Sequence, residues 1–193
     1  MKTKNNQISF IQIFQSFYKL DTFTKSISTN KLLLANLIFL ILIFFITFIK
    51  TTLTYQYQSM SSVFFIVFIG APIFFLIIFS FMYLFLSAFE KLKKKFLQSY
   101  LTYLFLTLGF VFIGNTINLI KTLSENSFII AITSTLMIVS AIYYIVNSTI
   151  NLKNLFNVSW QRVLFVEIIT YTLLAVTLLT QYLIYLIGIV KGN

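Results

Sequence analysis

Five long apolar runs, separated by short polar connections, constrain this chain more than any other feature. They cover residues 32–49, 63–89, 97–120, 128–150 and 163–190, and between them hold a single charged side chain, Glu167. A helix that crosses the hydrocarbon core of a bilayer needs about 20 consecutive, mostly apolar residues. The shortest run, residues 32–49, rises roughly 27 Å at 1.5 Å per residue, enough to cross. No water-soluble fold could hide so much apolar surface. Of the 193 residues, 59% are hydrophobic and 9% charged, against about 25% charged in an ordinary soluble domain. The expectation is an all-α, polytopic transmembrane helix bundle of five spans. Residues 1–31 form a segment on the cytoplasmic side, and residues 32–190 form the bundle. The first run is preceded by 31 residues and followed by no small-x-small cleavage pattern, so it reads as a retained anchor rather than a signal peptide.

The basic residues supply the orientation. Lys2, Lys4, Lys19, Lys25 and Lys31 precede the first run; Lys91, Lys93, Lys94 and Lys95 lie in the second connection; Lys153 and Arg162 lie in the fourth. These alternate segments hold 11 of the 14 basic residues, leaving Lys50, Lys121 and Lys191 for the opposite side. Basic residues gather in cytoplasmic loops, so five spans place the N-terminus inside and the C-terminus outside. The net charge of +10 is accounted for by that bias, and nucleic acid is not expected as a partner. Heavy use of Phe, Ile, Asn and Lys, with a single Arg, suggests an AT-rich bacterial source and hence a bacterial plasma membrane.

Two basic or amphipathic segments could meet lipid or a partner. Phe10, Ile13, Phe14, Phe17 and Leu20 recur at helical spacing, with Gln12, Gln15, Ser16 and Lys19 mainly on the other side. This is an amphipathic helix suited to the cytoplasmic interface, either a passive element packed on the bundle or a lipid-sensing or partner-docking device. The cluster Lys91, Lys93, Lys94 and Lys95 could attract anionic lipid headgroups at about 1 kcal/mol per lysine, although an orientation signal is its simpler reading.

Within the runs, two residues stand apart. The second run is long for one span, and Pro72 sits inside it, after Gly70 and Ala71. Proline is well placed in the first turn of a helix and poorly placed further in. The main helix is therefore expected to start near Pro72, with residues 63–70 as a separate turn, a kink or an interfacial lead-in. Glu167 is the other. An acid inside a span is a functional candidate by default, but Arg162 and Lys153 lie on the same side of the sequence map. An interfacial ion pair is the simpler reading; a buried ion or proton site is the alternative. The remaining polar residues of the runs, among them Asn36, Asn115, Thr133, Asn147, Thr170 and Gln181, suit hydrogen bonds between helices. Gly109 and Gly114 are five apart and do not make the four-residue spacing of a close helix dimer.

The chain has no Cys and no His, which removes thiol and imidazole chemistry and the usual zinc sites. No run contains a lysine, and Asp21 is the only Asp, so neither a serine–lysine pair inside a span nor an aspartyl dyad can be assembled. The chain reads as a non-enzyme without a cofactor.

Two stretches carry a family resemblance. Residues 90–109 read EKLKKKFLQSYLTYLFLTLG, a basic turn, a Phe-led entry and an apolar span with a tyrosine near its start. Residues 150–175 read INLKNLFNVSWQRVLFVEIITYTLLA, the end of one span, a short polar turn and a basic entry to the next. In this order, and in span count, the chain resembles the Yip domain family of small five-span proteins with a cytoplasmic N-terminus. It departs from that pattern in having no proline in the third run and only Gly70 in the turn before the second. Residues 8–23 are also similar to a bacterial membrane family of unknown function. The Yip resemblance implies an accessory or adaptor protein that acts by association within the membrane, with a membrane-protein partner and no catalytic residues. The alternatives are a permease subunit of a transport complex, or an immunity protein against a pore-forming peptide.

Overall fold

The computed structural model describes residues 29–54, 59–89, 96–124 and 126–191, with backbone only at 174, 177, 178 and 181–191. The amphipathic segment of Phe10, Phe14 and Phe17, and the cluster Lys91, Lys93, Lys94 and Lys95, lie outside the described residues. The described chain is helical throughout, with no strand. The helices are α1 (Thr29–Leu53), α2 (Met60–Phe65), a π-helical turn (Ile66–Gly70), α3 (Ala71–Phe89), α4 (Phe96–Leu123), α5 (Ser127–Phe156) and α6 (Trp160–Lys191). Four stretches are long and apolar enough to cross a membrane: Thr29–Leu53, Met60–Ala88, Phe96–Leu123 and Ser127–Phe156. The last helix, α6, is 32 residues long.

Each helix outruns the apolar stretch that announced it, and at α5 polar caps set both ends. The Asn126 side chain accepts from the Phe128 amide at 2.9 Å to begin α5, satisfying one of the four free amides of a helix start. At the other end Asn157 adopts the left-handed conformation (φ 57°) and its backbone amide returns to the Lys153 carbonyl. Asparagine tolerates that conformation better than any residue but glycine. The fourth connection, expected over residues 151–162, thereby shrinks to three residues, 157–159. Lys153 sits in the last turn of α5, where a cation suits the helix dipole.

The second run differs from the expectation. The chain does not begin its helix at Pro72; it is helical from Met60, and the π-helical turn stands directly before the proline. Ser59 caps the start, its side chain accepting from the Ser62 amide at 3.2 Å. Proline has no amide hydrogen, and its ring collides with the carbonyl four residues back in a regular α-helix. A π turn carries one extra residue and shifts the hydrogen-bond register. Here the Ala71 amide bonds to the Ile66 carbonyl, five residues back, so the irregularity that Pro72 imposes is taken up in the turn before it.

Contacts give the helix directions. Asn36 Nδ2 donates to the Leu101 carbonyl at 3.1 Å, and Phe39 meets Phe105 and Phe112 at 5.4 and 6.0 Å between ring centres. Both partners advance together, so α1 and α4 are parallel. Thr107 with Tyr144 and Lys121 with Ser134 make α4 and α5 antiparallel. Ser148 with Glu167 and Tyr144 with Tyr171 do the same for α5 and α6. Tyr83 with Phe96 and Phe79 with Tyr103 set α3 antiparallel to α4.

The core gathers toward one end of the bundle, where α3 ends, α4 begins, α5 ends and α6 begins. Phe79 is its centre, fully buried and within 5.3–6.4 Å of the rings of Phe96, Tyr100, Tyr103 and Phe156. Residues 99–109 of α4 are all buried. Toward the other end Phe44, Phe48, Phe64 and Phe68 pack α1 on α2 and the π turn, while α5 is largely uncovered: only 6% of its most apolar window is buried.

Candidate functional site

The site is built where α5 and α6 leave their three-residue connection. In an antiparallel pair joined by so tight a turn, residues equally distant from the turn face one another. Reflection about residues 157–158 brings Ser148 and Thr149 opposite Glu167, and Tyr144 opposite Tyr171. The buried stripe of α6 is Val163, Val166, Glu167 and Thr170, spaced three and four apart as one helix face requires. Glu167 is thus on the inward face and is only 2% exposed.

Its carboxylate is held by hydroxyls. Ser148 Oγ donates to Oε1 at 2.6 Å, and Thr149 Oγ1 donates to Oε2. The ion pair suggested by sequence, with Arg162 or Lys153, is not the arrangement found: both cations are on the exposed surface, and Glu167's partners are the two hydroxyls. The reason is helical geometry. Arg162 is five residues before Glu167, about 140° around the axis and one and a half turns away. Lys153 lies one turn beyond Thr149, toward the connection. Glu167 lies seven residues into α6, roughly 10 Å from its start, deeper than the apolar boundary at residue 163 implied.

A second polar layer lies beside it. Tyr103 of α4, Tyr144 of α5 and Tyr171 of α6 bring their hydroxyls together, with Tyr144 to Tyr171 at 3.3 Å and Tyr103 to Tyr171 at 3.5 Å. Thr107 Oγ1 is 3.0 Å from the Tyr144 hydroxyl, and Phe110 stacks on the Tyr144 ring at 4.6 Å. Such a network lets buried phenols satisfy one another. An open, almost wholly apolar groove of about 420 Å³ adjoins both layers, lined by Ile145 of α5 and by Glu167, Ile168, Tyr171, Thr172 and Val176 of α6.

Other polar residues behave as helix glue or bond within their own helix. Asn36 crosses to α4, whereas Thr116 and Thr133 return their hydroxyls to carbonyls four residues back. Nothing lies within 4 Å of the space a side chain at Gly114 would fill, so this glycine serves no close helix approach. The Pro72 carbonyl accepts from the Tyr100 hydroxyl at 2.7 Å, tying α3 to α4. Among the described residues there is no group of three or more His, Cys, Asp or Glu side chains that could hold a metal.

The sequence reading found Glu167 and missed its partners. Ser148 and Thr149 were visible as a hydroxyl pair near the end of a run, but the length of α5 was not, and pairing across the turn depends on it. The tyrosine layer carried no signal beyond three aromatic residues in three different runs. No protein-family model, curated protein or solved structure matches the chain.

Proposed function

We propose that the chain is a five-span membrane protein, N-terminus inside and C-terminus outside, that acts by association within the bilayer as an accessory or adaptor subunit of Yip-like type. The observation that carries this reading is the uncovered state of α5. Phe128, Ile138 and Ile142 are 59–70% exposed, and the small residues Ser127, Ala131 and Thr135 follow one another at four-residue spacing on exposed positions. Apolar side chains alone need only lipid. Small residues in a line are what membrane helices use to approach one another, since lipid gives no hydrophobic drive for helix pairing. The alternation of basic segments supports the orientation, and the length of α6, roughly 48 Å at 1.5 Å per residue, supports a fifth span.

The test is affinity purification of the full chain from native membranes in mild detergent. A membrane protein should accompany it in stoichiometric amount and be lost when Ala131→Leu or Thr135→Leu fills the small-residue face. A monodisperse chain that purifies alone from native membranes contradicts the reading. The alternative role is permease subunit of a transport complex. A stoichiometric ATPase as the captured partner decides for that role.

A further inference from the structure

Two hydroxyls meet more oxygens around Glu167 than they have protons for. Ser148 Oγ lies 2.6 Å from Glu167 Oε1 and 3.0 Å from the Ile145 carbonyl. Thr149 Oγ1 touches Glu167 Oε2 and lies 2.8 Å from the same carbonyl. Each hydroxyl has one proton to donate and two lone pairs to offer. Beside an ionised carboxylate these four contacts share two protons, and wherever a hydroxyl turns to Ile145 an acceptor is left facing an acceptor. A proton on Oε2 removes most of that conflict. The acid then donates to Thr149 Oγ1, Thr149 donates to Ile145, and Ser148 donates to Oε1. Three of the four contacts become hydrogen bonds with no atom moved.

The surroundings favour the same state. Glu167 is almost fully buried, and a carboxylate in an apolar medium is far costlier than the neutral acid. The adjoining groove is open but apolar, so it offers an anion no solvation. Among the described side chains, no cation faces the acid. α3 carries no charged residue. On α4, Lys121 reaches Ser134, toward the far end of α5. Lys153 of α5 and Arg162 of α6 are on the exposed surface. The titratable groups on the surrounding faces are phenols: Tyr144 of α5, Tyr171 of α6 and Tyr103 of α4. Tyr100 of α4 is engaged by the Pro72 carbonyl, and Tyr83 of α3 packs on Phe96 and Phe156.

We propose that Glu167 is a proton-binding site inside the membrane, occupied at neutral pH, with its proton joining α6 to α5 through the Thr149 hydroxyl. Release of the proton leaves a bare charge in that contact, so an alkaline medium loosens the helix pair. The proposal rests on α5 and α6 lying in the bilayer, and not on which protein partners the chain.

The experiment is infrared spectroscopy of the full chain in nanodiscs of ether-linked lipid, which has no ester carbonyl to mask the region of interest. A protonated carboxylic acid has a carbonyl stretch well above the carboxylate bands, and that stretch moves down in D₂O. The wild type should show such a band at neutral pH and lose it only as the medium is made alkaline. The other three acids, Asp21, Glu90 and Glu125, lie outside the apolar runs. Carboxyl groups in water titrate at about 4, so these three should contribute no band at neutral pH. Glu167→Gln, an uncharged isostere of the acid, should stay folded and lack the band. The triple variant Asp21→Asn, Glu90→Gln, Glu125→Gln leaves the site untouched and should keep it, which assigns the band even if Glu167→Gln fails to fold. Absence of the band from the wild type at neutral pH overturns the proposal. So does a band that survives Glu167→Gln, or one that disappears in the triple variant. These readings need no captured partner, so they stand or fall apart from the association role.

Discussion

At the scale of single residues, the chain places an acid in its interior and meets the cost with hydroxyls instead of a cation. Burying a polar group without a partner costs about 1–3 kcal/mol. Ser148→Ala and Thr149→Val should therefore each lower stability by about 1–3 kcal/mol in denaturant titration in detergent, because each leaves one carboxylate oxygen unmatched. Lys153→Ala, on the exposed side of α5, should stay within about 0.5 kcal/mol. A large loss at Lys153 with none at Ser148 would restore the interfacial ion pair. Glu167 itself was legible because it is the one charge in five apolar runs. Its burial was not, since that depends on where α6 begins: a start at residue 163 puts the acid near the headgroups, and a start at Trp160 adds most of a turn.

At the scale of elements, the apolar runs located the helices, and capping chemistry set their ends. Hydropathy falls off at residue 150, but Asn151, Leu152, Leu155 and Phe156 remain buried in the same helix, because tertiary packing rewards them where composition does not. Asn157 then ends α5 in the left-handed conformation. A β-branched side chain there should cost about 1–2 kcal/mol, so Asn157→Val should unfold at clearly lower denaturant, while Asn157→Gly should match the wild type. Equal stability of Val and Gly would show that the turn is not held by that conformation. The second run teaches the opposite lesson. Pro72 and Gly70 marked the right place for an irregularity, but the expected break is a π turn inside a continuous helix. Proline restricts what a helix can do locally without deciding whether neighbouring packing carries the helix through. Val63 and Val67 are buried on either side of the turn's start, and that packing holds the lead-in segment helical.

At the scale of the whole molecule, aromatic rings close the described bundle at one end, and a second ring cluster, Phe44, Phe48, Phe64 and Phe68, packs α1 on α2 and the π turn toward the other. Phe79, Tyr83, Phe96, Tyr100, Tyr103 and Phe156 form the first of these, near the second and fourth connections. The uncovered face of α5 is left to lipid or to another chain. An all-helical membrane fold was legible because the bilayer admits few alternatives once apolar runs reach spanning length. Which helices touch was not legible: every run is apolar on all sides, so no stripe distinguishes a protein face from a lipid face. The parallel pairing of α1 with α4, fixed by Asn36 on the Leu101 carbonyl, is an instance. Asn36 was one polar residue among many until a partner was seen.

The proposed topology has five spans with the N-terminus inside and the C-terminus outside, and the absence of cysteine from the chain makes it directly testable. Single cysteines introduced at Ser59, Lys94 and Gly192 are treated in intact cells with a membrane-impermeant maleimide. Labelling is expected at Ser59 and Gly192, and none at Lys94 until the membrane is permeabilised. Labelling of Lys94 in intact cells, or protection of Gly192 until permeabilisation, would contradict it.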